Sequence, residues 1–287
     1  MALIAFLGGF FCAMPAETGN FKEIKDIPYG IDEEQKVDVF LPKNGSSVKG
    51  VTVFLHSGAW MSGYRSEFYD KMEYYADKLG IAAASVGYRY VGEGKNITYK
   101  DMLEDISAGI AAVKRVAAAN GIKLEKAAVC GLSAGAHLSL LYAYGGADVS
   151  PLPISYVVAY AAPSDFTDEA YYTTDSEGKV SAALPIELLC GADLSKGLTD
   201  PETRGKLSAA SPISYVSSSS VPTVLVHGTA DEAVPYSNAL GLSAALEKAG
   251  AECRFFSYEG VGHLISEHAD ADEKLRETLD EFANRLR

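Results

Sequence analysis

Ala127-Ala128-Val129-Cys130-Gly131-Leu132-Ser133-Ala134-Gly135-Ala136-His137-Leu138-Ser139-Leu140-Leu141 is the stretch from which the architecture can be read. Its first four residues are small and apolar, as in a short strand buried on both faces. From Ala136 the apolar run continues as a helix. Between them Gly131, Ala134 and Gly135 leave room for a strained turn with Ser133 at its apex. That turn would lift the serine hydroxyl above the sheet. The helix behind it would present its N-terminus, and the amide of Ala134, to any negative charge forming there. A Gly-rich strand–helix turn with no chemistry has the same outline, so the rest of the chain must decide.

Outward from this stretch, strand-like and helix-like segments alternate. Residues 51–55, 81–86, 127–130 and 156–160 are continuously apolar, and 223–226 and 254–258 follow. Such runs fit central parallel strands covered on both sides. Residues 23–27 and 36–41 read as opening strands, and the alternation Val37-Asp38-Val39-Phe40-Leu41 predicts one face partly wet. Residues 99–119 carry Met102, Ile106, Ile110, Val113 and Ala117 at helical steps. Asp101, Glu104 and Asp105 lie near the start, Lys114 and Arg115 later, and Asn120-Gly121 at the end. Leu275, Leu279, Phe282 and Leu286 stripe a last helix.

The pattern predicts an α/β chain with a mostly parallel central sheet of about eight strands flanked by helices. Between about 163 and 206 it breaks down, which predicts a small cap insertion in one domain spanning 21–287. Tyr171, Tyr172, Leu184, Ile186 and Trp60 are candidates for lining a pocket under that cap, or for packing its core.

Bulk properties narrow the partners. The 287 residues are 48% hydrophobic, ample for one sizeable core, and carry 25 basic against 38 acidic residues for a net charge of −13. That balance disfavours nucleic acid and anionic membrane surfaces as partners. Cys12, Cys130, Cys190 and Cys253 are far apart, with no zinc-like spacing, so free thiols are expected. Residues 1–20 form an apolar N-terminal segment, too short for a transmembrane helix. No Lys or Arg precedes Lys22, and the small-residue cleavage rule is poorly met. A weak or truncated signal peptide is one reading; a non-exported, cytoplasmic chain is slightly favoured.

Three further loops bear chemistry. His56-Ser57-Gly58-Ala59-Trp60 directly follows strand 51–55, where small residues let backbone N–H groups gather beside a nucleophile. His227-Gly228-Thr229-Ala230-Asp231-Glu232-Ala233-Val234-Pro235 follows strand 223–226 and offers an acid. Glu232 is its neighbour and Asp165 a rival after strand 156–160, and a lone loop Asp is usually a turn residue. Glu259-Gly260-Val261-Gly262-His263 follows strand 254–258 and offers a base. The order serine, acid, histidine favours Ser133, Asp231 and His263 as a catalytic triad. His56 and His227 read as hydrogen-bonded within their loops and His137 as packed. The spacing of His263 and His268 gives a metal site little support. No cofactor is expected.

The loop at His56 resembles the H-G-G-G/A-W motif of the hormone-sensitive-lipase-like α/β-hydrolases, a branch akin to bacterial feruloyl and acetyl esterases and kynurenine formamidases. Gly131 to Gly135 with His137 resembles that branch's G-x-S-A-G-G/A-H elbow, and the Asp231 segment its H-G-x-x-D-x-x-V-P. The likeness runs from about Ile27 to the C-terminus. It implies an α/β-hydrolase fold and an oxyanion hole built from the amides of Gly58, Ala59 and Ala134. Ser57 stands where the branch usually has glycine. The activity implied is carboxylic ester hydrolysis through an acyl-enzyme, on a small-molecule short-acyl or acylated-sugar ester. An amide hydrolase (formamidase or small peptidase) is the alternative, and a non-catalytic binding protein is a more distant one.

Overall fold

Lys126–Leu132 forms β5, a strand whose alternate residues face two different cores. Ala127 and Val129 enter one hydrophobic cluster, and Ala128 and Cys130 the other. Burial on both faces makes this a central strand, and the sheet is built out from it. The computed structural model describes residues 19–44, 48–145, 150–172 and 183–287; residues 1–18, with Cys12 and nearly all of the apolar N-terminal segment, lie outside the described residues.

The other strands are β1 (Phe21–Pro28), β2 (Lys36–Pro42), β3 (Gly50–Leu55), β4 (Ala82–Val86), β6 (Ile154–Tyr160), β7 (Thr223–Gly228) and β8 (Cys253–Tyr258). They pair in the order β1-β2-β4-β3-β5-β6-β7-β8. The β1·β2 and β2·β4 pairs are antiparallel, and every pair from β4·β3 to β7·β8 is parallel. The α-helices among the described residues are α1 (Tyr69–Glu73), α2 (Tyr99–Ala119), α3 (Ala134–Gly145), α4 (Ala183–Cys190), α5 (Pro201–Ala209), α6 (Tyr236–Ala249), α7 (Ser266–Ala271) and α8 (Glu273–Asn284). Helices α2, α3 and α6 cover one face, through residues such as Ile106, Leu140 and Leu242. Helices α1, α7 and α8 cover the other through Met72, Ala269 and Phe282. The segment between β6 and β7 carries α4 and α5.

Two expectations about exposure need correction. The alternation in β2 does not mark a wet face: Asp38 is fully buried. Its carboxylate accepts from Arg65 Nε at 2.8 Å, Tyr69 OH at 2.9 Å and the amide of Asp26 at 2.7 Å. Three donors, one of them the Arg65 guanidinium, compensate the carboxylate for the water it loses. The run at 254–258 is not a central strand, since β8 closes one edge of the sheet and is only partly buried.

Helix α2 has the predicted bounds, and its acidic start serves two purposes. Asp101 accepts from the amide and hydroxyl of Thr98, both at 2.9 Å, which caps the helix. Asp105 is buried and binds Arg89 through Nε and its backbone amide, and Gln35 at 2.7 Å. It anchors β-sheet loops rather than the helix dipole.

Candidate active site

Ser133 adopts φ = 54°, the left-handed region a non-glycine residue enters at a cost of roughly 1–3 kcal/mol. Two contacts hold it there: its amide donates to Tyr160 O at 2.9 Å, and its carbonyl accepts the His137 amide at 2.9 Å. Gly135 permits the turn. A Cβ on that residue would lie 2.0 Å from the carbonyl oxygen of Leu55, so only glycine lets the start of α3 press against the end of β3. This contact sets the serine beside the loop at 56–60.

That loop is itself wound left-handed. Gly58, Ala59 and Trp60 have φ of 112°, 51° and 61°. Among the described residues the amides of Gly58 and Ala59 meet no acceptor. Trp60 is buried at the far end, its Nε1–H donating to His137 Nδ1 at 3.1 Å while its ring meets His137 and Phe166 edge-on. His137 Nε2–H in turn donates to Ala210 O at 2.7 Å. These two bonds dictate one neutral tautomer, and burial lowers the pKa of His137 to about 4. At the near end His56 donates from Nδ1 to Ser57 O at 2.8 Å and stacks on Tyr88 at 4.3 Å. Burial lowers its pKa as well.

The acid and base loops meet through Gly228. A Cβ there would fall 2.1 Å from Val261 O, so the end of β7 and the loop after β8 touch backbone to backbone. The Thr229 amide donates to Tyr258 O at 2.9 Å, and the Ala230 amide to Val261 O at 3.0 Å. The approach brings His263 Nδ1 to 2.8 Å from Asp231 Oδ2 and His263 Nε2 to 3.0 Å from Ser133 Oγ. Asp231 Oδ1 accepts the amides of Ala233 and Val234 at 2.9 and 2.8 Å. His227 Nε2 lies 3.2 Å from Oδ2. Burial pushes the Asp231 carboxyl up, but bonds from His227, His263 and Val234 outweigh it and hold the group well below the usual carboxylate range.

The structure therefore brings Ser133, Asp231 and His263 into one hydrogen-bonded chain, with Ala134 opening α3 directly behind the serine. Asp165 is elsewhere occupied. It accepts from the amide and hydroxyl of Thr167 at 2.8 and 2.6 Å, a turn motif, while Glu232 is exposed on the rim. Of the pocket candidates, Trp60, Tyr171 and Ile186 are buried in the core. Tyr172 packs against that core with its hydroxyl on Phe166 O, and Leu184 is exposed. His227 is hydrogen-bonded within its loop, as expected, its Nε2 lying 3.1 Å from Val234 O and 3.2 Å from Asp231 Oδ2. Asn238 is not anticipated by the sequence: it is buried and binds the amides of Ser164 and Asp165 at 2.8 Å and the hydroxyl of Tyr171 at 3.1 Å. A distant residue with no motif leaves no signal. Among the described residues no group of His, Cys, Asp and Glu is gathered as a metal would require, and no helix is long and apolar enough to cross a membrane.

An eight-stranded sheet in this order, with a serine on the turn after β5 and an acid and a histidine on the loops after β7 and β8, is that of an α/β-hydrolase. The chain belongs to the BD-FAE family, whose pattern matches residues 37–246. It is 28% identical over 263 residues to a probable isoprenylcysteine alpha-carbonyl methylesterase of Oryza sativa subsp. japonica, covering 83% of this chain and 56% of that protein. It is 30% identical over 237 residues to esterase LipQ of Mycobacterium tuberculosis, covering 80% and 54%. The chain thus spans little more than half the length of these relatives. A truncated carbohydrate esterase from gut microbiota shares the fold, with a TM-score of 0.70 at 20% identity over 95% of this chain and 98% of that one.

Proposed function

We propose that this chain is a serine hydrolase that cleaves carboxylic esters through an acyl-enzyme. The observation that carries the reading is the chain of contacts from Asp231 to His263 at 2.8 Å and on to Ser133 Oγ at 3.0 Å. In this reading Ser133 Oγ bonds to the acyl carbon while its proton passes to His263 Nε2. Asp231 holds the imidazole with Nδ1 protonated and steadies the cation that forms. The tetrahedral oxyanion rests on the amides of Gly58, Ala59 and Ala134, each such donor being worth about 2.7–4 kcal/mol. The carbon–oxygen bond to the alcohol then breaks, and the leaving oxygen takes the proton from His263. Water, deprotonated by the same imidazole, attacks the acyl carbon and frees Ser133.

The substrate class proposed is a small-molecule short-acyl or acylated-sugar ester, which agrees with the esterase names among the relatives. The described parts of the insertion, 163–172 and 183–206, are proposed to cap it. A fluorophosphonate probe is expected to label the native protein and not Ser133→Ala. p-Nitrophenyl acetate is expected to turn over faster than N-formylkynurenine. Labelling that survives the Ser133 change would overturn the nucleophile, and the reverse substrate preference would overturn the ester.

A further inference from the structure

We infer that Ser57 and Glu67 form a positioning pair that holds the oxyanion loop in register with Ser133; the role rests on the hydrolase reading above. One carboxylate grips residue 57 twice. The Ser57 amide donates to Glu67 Oε2 at 2.6 Å, and the Ser57 hydroxyl donates to Oε1 at 2.5 Å. The Ser57 carbonyl already accepts from His56 Nδ1 at 2.8 Å, so all three polar groups of the residue are engaged. Directly after it the chain turns left-handed through Gly58, Ala59 and Trp60. Trp60 is tied down at the far end by His137. At the near end Tyr88 holds His56, through its hydroxyl on His56 O at 2.7 Å and by ring stacking; Ser57 itself is held from outside the loop by Glu67.

Glu67 is exposed, yet the turn that carries it, Arg65–Phe68, is not free to wander. Arg65 donates from Nε to the buried Asp38 of β2 at 2.8 Å. Phe68 is buried and stacks on Phe54 of β3 at 5.2 Å. The carboxylate is therefore referenced to the same sheet that positions Ser133. A glycine at 57 would supply only the amide donor. The hydroxyl adds a second, which fixes rotation as well as distance, as a site whose amides must meet a small oxyanion requires.

Because the pair is solvent-exposed, it contributes little to global stability, so its role is read in turnover. With p-nitrophenyl acetate, Glu67→Ala is expected to lower kcat about tenfold, less than loss of an oxyanion donor, with KM within about twofold and Tm unchanged. Glu67→Gln keeps one acceptor and is expected to recover part of that loss. Ser57→Ala is expected to cost less than Glu67→Ala, and the double variant no more than Glu67→Ala alone. Glu67→Ala turning over at the native rate, in a protein whose turnover Ser133→Ala abolishes, would overturn the pair while leaving the hydrolase reading intact. So would a kcat loss that tracks a falling Tm and is not relieved by Glu67→Gln. A native protein inert toward esters and toward the fluorophosphonate would remove the hydrolase reading itself, and the pair's role with it.

Discussion

Asp231 is where residue chemistry weighs most, because one carboxylate serves His263, His227 and two backbone amides. Replacing it with asparagine keeps the shape but lets the wrong imidazole tautomer form. Asp231→Asn is expected to lower kcat by about 10³–10⁴, whereas Asp165→Asn, at a side chain that bonds Thr167 within its own turn, should leave kcat unchanged. Steady-state kinetics on the two variants decides between the acids. The same carboxylate carries a pH signature. Its folded pKa is depressed, so its stabilising contribution is fully present above the unfolded value of about 3.9 and is lost as pH falls toward the folded value. The stability advantage of the native chain over Asp231→Asn is therefore expected to shrink below about pH 4, measured by urea unfolding across the acid range.

At the scale of elements, the site depends on backbone approaches that no side chain mediates. Gly135 lets α3 meet β3 at the carbonyl of Leu55, and there is no slack for a methyl group. Gly135→Ala is expected to cost about 1–3 kcal/mol and to lower kcat together with stability, since the elbow and the oxyanion loop are pushed apart. Thermal unfolding and turnover on one preparation test both. His137 ties three elements: it sits on α3, accepts from Trp60 of the oxyanion loop and donates to Ala210 beyond α5. It is neutral when folded, with a pKa of about 4, but protonates near 6.5 once unfolded. The unfolded state thus binds more protons between those values, and stability falls as pH drops through that window, by about 3 kcal/mol in all. Denaturant titrations from pH 7 to 4 should show this slope, and His137→Phe should flatten it.

For the whole molecule, the two faces of the sheet are separate cores, and the face away from α2 and α3 is closed by α1, α7 and α8. Phe282 of α8 is fully buried, meets Tyr156 of β6 edge-on at 5.4 Å, and lies under the Arg285 guanidinium at 3.9 Å. Phe282→Ala is expected to cost about 3–5 kcal/mol, read as a fall in Tm. Ser133 sits beyond the end of β5 on the turn into α3, whose Ala134 packs in the opposite core, so the fluorophosphonate labelling rate of the folded fraction should hold.

The sequence by itself determined the alternation of strands and helices, the bounds of α2, the turn at Ser133 and the chain order of serine, acid and histidine. All of these follow from local period and from turn chemistry within a few residues. The sequence favoured Asp231 over Asp165 by its place in the chain and its likeness, but both follow a strand, and only the tertiary structure decided that Asp231 reaches His263 while Asp165 turns back on Thr167. It also decided that Asp38 is buried rather than wet, since Arg65 and Tyr69 reach it from an element far along the chain. The clamp of Glu67 on Ser57 was equally hidden: a hydrogen bond between two loops has no period to betray it.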